Sequence, residues 1–169
     1  MKKLILAIAV ALSFVLPVFT GNIFAAEAKV SVDKELASAY KYWSENFSTG
    51  ICKGFALMSQ SQKELPLEKQ KLIEKHVADF GAKTLLPFLK RNNLTAEWIK
   101  CQNDPEIRAI NTKSLQVKNM QELQAMMMSS IQLLQKKYPN IIIKGQQDQD
   151  YVKGFQALTM KVQQVLLAK

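Results

Sequence analysis

Apolar residues recur at steps of three and four along most of this chain, which is the spacing of one face of an α-helix. The C-terminal stretch shows this pattern plainly, with apolar residues at Tyr151, Phe155, Leu158, Val162 and Val165. A half-buried β-strand would instead alternate apolar and polar residues with a period of two. The sequence therefore predicts an all-α protein, a compact bundle of about five to seven helices with no substantial sheet.

Capping and breaking residues indicate where these helices begin and end. A first helix is expected to start at Asp33, which can cap it, and to be interrupted by the Ser-Thr-Gly sequence at 48–50. Gly81 is a plausible stop for a later helix, and Pro87 should kink the segment that follows. The Asp-Pro-Glu sequence at 104–106 combines a cap, a first-turn proline and an acidic residue, so it predicts a helix start.

Residues 119–168 are predicted to form a helical hairpin at the C-terminus. Its first helix follows Asn119 and Glu122, which have the spacing of a capping box, and its second begins near Asp148 or Asp150. Between them lies the β-branched run 141–143, bounded by proline and glycine. Because one isolated strand cannot form a sheet, we expect this run to be an extended connector.

The N-terminus has the order of parts found in a secretory signal peptide. Lys2 and Lys3 precede a run of apolar residues at 4–19, and small residues follow at Ala25, Ala26 and Ala28. The run is shorter than the roughly 20 residues that a transmembrane helix requires. We therefore predict that residues 1–28 are a cleaved signal peptide, with cleavage after one of these alanines, and that residues 29–169 form a single helical domain.

The charge is positive and unevenly distributed. Removing residues 1–28 takes away two lysines and one glutamate, so the formal net charge of +9 becomes +8. Nine basic residues oppose three acidic ones between residues 107 and 169. This excess favours an acidic partner, such as an anionic membrane surface, a cell-wall polymer or an acidic protein, and the compartment argues against nucleic acid. The predicted partner-binding face carries Lys136, Lys137, Lys153 and Lys161, although scattered lysines can also serve solubility alone.

The chain after the signal peptide contains two cysteines, Cys52 and Cys101. An even number of cysteines in an oxidising compartment predicts one disulfide bond between them. A buried thiol pair and a redox couple are the alternatives. The redox couple is disfavoured because the chain has no Cys-x-x-Cys motif.

The sequence carries no motif of catalysis, and we predict no metal site and no cofactor. His76 is the single histidine and shares a helix face with Asp79, whereas a metal site usually needs three or four ligands. Met126, Met127 and Met128 are consecutive, so on a helix they point in three directions and cannot converge on one copper ion. They are better explained as core filling and an adaptable contact surface.

Two short stretches resemble known families. The spacing of Cys52 and Cys101 resembles that of the small helical acid-stress chaperones of the bacterial periplasm. The stretch from Tyr40 to Cys52 resembles helical immunity proteins of type VI secretion amidases. Chains of both families are shorter than this one, and neither resemblance assigns a residue or an activity.

These features predict a small helical protein in the periplasm or outside the cell. It would act as a non-catalytic protein-binding module of the bacterial envelope, such as an inhibitor, an immunity protein or a chaperone, because surface complementarity needs no catalytic signature. The alternative is an envelope enzyme or small-ligand carrier whose site is assembled from distant residues. A deep pocket joining His76 to carboxylates would favour an enzyme.

Overall fold

A computed structural model describes residues 27–58 and 64–168, with side chains from residue 33. The predicted signal peptide lies outside these residues except for its last two positions. The elements, numbered here in chain order, are α1 (Glu27–Met58), α2 (Leu67–Phe80), a π turn (Gly81–Leu85), α3 (Leu86–Arg91), α4 (Thr95–Asn103), α5 (Pro105–Gln116), α6 (Met120–Lys137), α7 (Pro139–Gln147) and α8 (Gln149–Leu167).

The all-α prediction is confirmed for the described residues, which contain no strand. The segment from α2 through the π turn to α3 is one continuous rod. If this rod is counted as a single helix, the described residues form seven helices. Among the described residues, no helix has the length and apolar character needed to cross a membrane.

The predicted break in the first helix is wrong, because α1 continues through residues 48–50. Its start is also earlier than Asp33. The hydroxyl of Ser48 donates to the carbonyl oxygen of Ser44 at 2.8 Å, which satisfies this buried polar group inside the helix itself. Such back-bonding to the preceding turn lets a serine lie in a helix interior. The result is one long helix that contacts α2, α4, α5 and α6.

Gly81 was expected to stop a helix but instead opens the π turn, with helical backbone angles. The ring of Tyr40 lies directly against it: a Cβ at this position would be 2.5 Å from Tyr40 Cε2. The Tyr40 hydroxyl donates to the carbonyl oxygen of Ala78 at 2.9 Å. The glycine is therefore needed for the close approach of α1, and the chain direction is unchanged because Gly81 keeps the backbone angles of a right-handed helix.

Three predicted helix starts are confirmed by side-chain caps. Asp104 accepts from the backbone N–H of Glu106 at 2.9 Å, and Asn119 accepts from that of Glu122 at 2.9 Å. Asp148 accepts from the N–H of Tyr151 at 3.0 Å. These short polar side chains satisfy backbone donors that a helix leaves unpaired at its N-terminus.

The predicted C-terminal hairpin and its extended connector are wrong. The run Ile141–Ile143 lies in α7, which starts at Pro139 and buries Ile141 and Ile142. Helix α6 packs chiefly on α5, α8 packs chiefly on α2, and the short α7 contacts both long helices. Burial of isoleucine therefore overrides the preference of β-branched residues for extended structure.

One large core and one small cluster hold the bundle together. The large core contains an aromatic group in which Phe88 packs at a tilt against Tyr151 with ring centroids 4.6 Å apart, and Phe80 lies 5.7 Å from Tyr151. Burial raises the pKa of the Tyr151 hydroxyl. The small cluster consists of Val117, which directly follows α5, together with Leu123 and Met127 of α6.

The predicted disulfide is absent from the structure, and Cys52 and Cys101 are free thiols. They lie on α1 and α4, which pack together, yet the two cysteines are not close. A disulfide requires Cα atoms within about 7 Å, and an even cysteine count carries no information on that distance. Burial, followed by the negative charge of Glu74, raises the pKa of the Cys52 thiol to about 11, while Cys101 is fully buried in the large core.

Candidate binding cleft

A cleft of about 90 Å³ lies where α5 and α6 meet α1, with one residue of α4 in its wall. Most of the side chains that surround it are apolar: Trp43, Phe47, Ile107, Ile110, Leu115, Leu123, Met126 and Met127. The polar ones are Asn46, Gln102, Asn111, Ser114 and Ser130. Of the described residues around the cleft, none is charged. An apolar concavity with a few polar groups is the usual form of a site for small groups.

Gln102 is the polar residue that sets this cleft apart. The residue is only 2 % exposed to solvent, and its side-chain amide nitrogen Nε2 has no hydrogen-bond partner among the described residues. An unpaired buried donor costs about 1–3 kcal/mol. A folded protein seldom keeps such a group, so Gln102 is one of the few exceptions among the described residues.

Two other polar side chains beside the cleft are paired with backbone carbonyl oxygens of their own helices. Asn46 donates to the carbonyl oxygen of Tyr42 at 2.8 Å, and the Ser114 hydroxyl donates to that of Asn111 at 2.7 Å. Asn111 itself lies 3.5 Å from the Tyr42 hydroxyl. The paired side chains of Asn46 and Ser114 therefore shape the rim of the cleft.

The wall that contains Gln102 is fixed by an arginine. Arg108 donates from Nε to the backbone carbonyl of Gln102 at 2.8 Å and from a terminal nitrogen to Asn103 at 2.7 Å. Its guanidinium carbon lies 4.2 Å from the centre of the Tyr42 ring, a cation–π distance. The same side chain thus ties α4, α5 and α1 together beside the cleft.

The far end of the α5–α6 pair is held by an ion pair. Lys137 donates to Asp104 at 2.9 Å and to Glu106 at 2.6 Å, and the Tyr138 hydroxyl donates to Asp104 at 3.0 Å. Burial raises the pKa of Asp104, but the hydrogen bonds from Lys137, Tyr138 and the backbone outweigh it, so the pKa lies below its usual value. The carboxylate stays ionised and joins the start of α5 to the end of α6.

The four lysines of the predicted partner-binding face lie in different surroundings. Lys137 is bound in the ion pair just described, and Lys136 borders a shallow groove between α5 and α6. Lys153 and Lys161 are exposed on α8, which packs on the opposite side against α2. Lys136 and Lys137 therefore lie at the end of α6, which is one of the cleft helices, and they are separated from Lys153 and Lys161 on α8.

His76 lies on α2, away from the cleft. Burial lowers its pKa, the positive charge of Lys161 lowers it further, and Asp79 acts in the opposite direction. Asp79 pairs with Lys83 at 3.2 Å. Within the described part of the chain, no group of three His, Cys, Asp or Glu residues could hold a metal ion.

The three consecutive methionines diverge, as the sequence indicates. Met127 is buried, Met126 is half-buried and also borders the cleft, and Met128 is 55 % exposed. Flexible thioether side chains can adjust to groups of different shape. Two of the three therefore give the cleft an adaptable wall.

Sequence reasoning missed Gln102, although a signal for it was present. Trp98, Cys101 and Gln102 share the three- and four-residue spacing of the apolar face of α4, and all three are buried. A glutamine on an apolar stripe is an exception to the usual exposure of that residue type.

Comparisons with protein-family models, with curated proteins and with solved structures found no match.

Proposed function

We propose that this chain is a non-catalytic binding protein of the bacterial envelope, and that the cleft between α1, α5 and α6 is its recognition site for a protein partner. The observation that carries the proposal is the cleft itself, whose described lining is mostly apolar and includes no charged residue. A partner that inserts an apolar group into the cleft would remove this carbon surface from water.

A cleft-filling variant tests the site. Ser130 borders the cleft from α6, so Ser130→Phe should fill it, whereas Gln124→Phe adds the same ring at an exposed position of the same helix. The purified wild-type protein and both variants are immobilised and exposed to envelope extract. We expect a specific protein to be retained by the wild type and by Gln124→Phe and lost by Ser130→Phe, with unchanged circular dichroism. Equal retention by all three would contradict the assignment of the cleft.

The second candidate function is a small-ligand carrier, and the size of the cleft favours it. A cleft of about 90 Å³ accommodates a small group rather than a broad protein surface. Native mass spectrometry of the gently purified protein would then show an added small mass that Ser130→Phe lacks. Retention of a protein partner with no such mass would reject the carrier.

We propose that exposed lysines on α6 and α8 assist the association of this protein with an acidic partner. Lys136, Lys153 and Lys161 are exposed, whereas Lys137 holds Asp104 and must be left intact. Reversing the three exposed charges to glutamate should slow association at low salt, because surface charges act mainly on the encounter rate. An association rate that is unchanged at low salt would remove these lysines from the proposal.

Export is proposed from the N-terminal pattern. Mass spectrometry of the protein from a fractionated bacterial cell should find it in the periplasm or medium, with a first residue directly after Ala25, Ala26 or Ala28. An intact N-terminus on protein in the cytosolic fraction would contradict the proposal.

A further inference from the structure

The outer face of α6 carries a stripe of exposed residues without charge. The stripe residues recur at steps of four, three, four and three, which is the spacing of the a and d positions along the seam of a coiled coil. We call them the α6 stripe: Gln121, Ala125, Met128, Gln132 and Gln135. The buried residues of α6, which are Leu123, Met127 and Leu134, lie on the opposite side of the helix. The α6 stripe is therefore a helix face that the described part of the chain leaves uncovered.

Two opposite charges flank the α6 stripe on the same side. Glu122 and Lys136 each directly follow a stripe residue, and they lie two heptads apart, roughly 21 Å along the helix. The carboxylate of Glu122 is held in place by the backbone N–H of Lys118 at 2.9 Å and the side-chain amide of Asn119 at 2.8 Å. Lys136 is exposed and forms no ion pair with a described residue. Within one copy, Glu122 and Lys136 are too far apart to pair.

A second copy would supply an opposite charge for each of them. When two identical helices pack antiparallel about a two-fold axis, residues on the same flank but at opposite ends face each other. Glu122 of one copy then lies opposite Lys136 of the other, and the symmetry forms this pair twice. The position midway between these two residues is 129, so the axis passes beside Met128. The flexible thioether of Met128 can pack against the same residue of the second copy.

The α6 stripe also has the chemistry for contact with its own copy. A glutamine amide both donates and accepts hydrogen bonds, so a row of glutamines can pair with an identical row. The chain carries a formal net charge of +9, which makes two copies repel each other. That repulsion is weakest at a face without charge, and such a face offers no lysine to an acidic partner. The stripe therefore suits a second copy better than an acidic protein.

We propose that two copies of this chain associate through the α6 stripe, antiparallel and two-fold symmetric, with two Glu122–Lys136 ion pairs. This inference goes beyond the proposed function, because the cleft residues Leu123 and Met127 lie on the opposite face of α6. One helix face is smaller than the roughly 800 Å² per copy of a standard interface. We therefore expect a weak dimer, with a dissociation constant of about 10–100 µM.

Sedimentation equilibrium of the purified protein tests the inference. Samples span about 1 µM to 1 mM in about 0.15 M salt, which screens charges beyond about 8 Å. The wild type should pass from monomer to dimer over this range. Lys136→Glu and Glu122→Lys each place like charges opposite each other, so each should raise the dissociation constant at least about tenfold. An equimolar mixture of these two variants should dimerise again, since the acidic flank of one then faces the basic flank of the other.

Two further variants separate local pairing from net charge. Lys153→Glu makes the same charge change on α8 and should leave the dimer unchanged. Lys136→Glu lowers the net charge by the same amount, which alone would favour association, so a weaker dimer reports the loss of the local pair. Met128→Lys, at an exposed position, places two like charges beside the axis and should also weaken the dimer. Circular dichroism checks that each variant is folded.

The outcomes are distinct from those of the cleft test. A wild type that stays monomeric at about 1 mM would overturn the inference. Variants at Glu122, Met128 and Lys136 that dimerise as tightly as the wild type, or a mixture that fails to recover the dimer, would overturn it as well. The retention of a protein partner by the wild type and its loss in Ser130→Phe do not depend on any of these results.

Discussion

The region where α8 packs on α2 and the π turn is closed, whereas the region where α5 and α6 meet α1 opens into a cleft. In the closed region aromatic rings pack in edge-on and tilted arrangements, with Phe80 5.9 Å from Phe155 and Phe88 4.6 Å from Tyr151. The open region has a small separate cluster that includes Met127, and an unpaired buried amide. Dense packing serves stability, and incomplete packing beside an unpaired donor is more useful for binding.

Truncating one leucine in each region should give the largest contrast. Leu85 is fully buried beside the closed region, so Leu85→Ala should lower the free energy of unfolding by about 2–5 kcal/mol. Leu115 is half-buried at the cleft, and Leu115→Ala should cost less than about 1 kcal/mol since the space beside it is already open. Urea unfolding measures both, and equal losses would show that the two regions are packed alike.

Adding one methyl group should have opposite signs in the two regions. At Gly81 the new Cβ would collide with the ring of Tyr40, so Gly81→Ala should destabilise the protein by about 1–3 kcal/mol. Gly50 lies inside α1 at the cleft, where Gly50→Ala should stabilise it by about 0.5–1 kcal/mol through helix propensity. Thermal unfolding of both variants gives the signs, and a loss at Gly50 would mean that the cleft wall is tightly packed there.

Acid should weaken an ionic link in the closed region. Arg91 donates to Asp148 from two nitrogens, and with further hydrogen bonds this lowers the pKa of Asp148 to about 2. Because the folded pKa lies below the ordinary value, the stabilisation is present above about pH 4 and is lost as the pH falls to about 2, by at most about 2 kcal/mol. Asp148→Asn should remove this part of the pH dependence of urea unfolding. An unchanged profile would mean that the Arg91 contact is fully screened by solvent.

The smallest expected effect is a gain in stability in the open region. Gln102→Leu removes the unpaired amide and should therefore stabilise the protein by about 1 kcal/mol. Gln70 is the matched control, since its Nε2 donates to the carbonyl oxygen of Leu65 at 2.7 Å. Gln70→Leu should therefore destabilise by about 1 kcal/mol. Calorimetry that found a loss at both positions would show that Gln102 is satisfied in solution.

The sequence predicts local structure best where a side chain acts on its own backbone. The helix class and the caps at Asp104, Asn119 and Asp148 follow from spacing and short polar side chains, and all are confirmed. Predictions failed where tertiary contacts decide the outcome. The segment around Ile141 was predicted to be an extended connector, but it is helical and buries this side chain. Gly81 was predicted to end a helix, but it lies within the continuous rod, where the ring of Tyr40 packs against it.

The cleft could be predicted only in part from the sequence. The divergence of Met126, Met127 and Met128 follows from helical geometry, and Gln102 on an apolar stripe was a readable exception. The meeting of α1, α4, α5 and α6 around one space depends on long-range packing, which spacing along one helix does not encode. The disulfide prediction failed for the same reason, because pairing depends on three-dimensional distance.

The π turn has a consequence for the orientation of everything after it along the rod. Its hydrogen-bonded rings each enclose one more residue than those of an α-helix, so side chains beyond it are rotated by about 100° from the preceding register. That rotation orients α3, whose last residue, Arg91, reaches Asp148. Deleting a single residue between 81 and 85 would restore ordinary α-helical winding and turn the guanidinium of Arg91 away from Asp148. The number of residues in this turn, and not their identity alone, therefore fixes the ionic link to the start of α8.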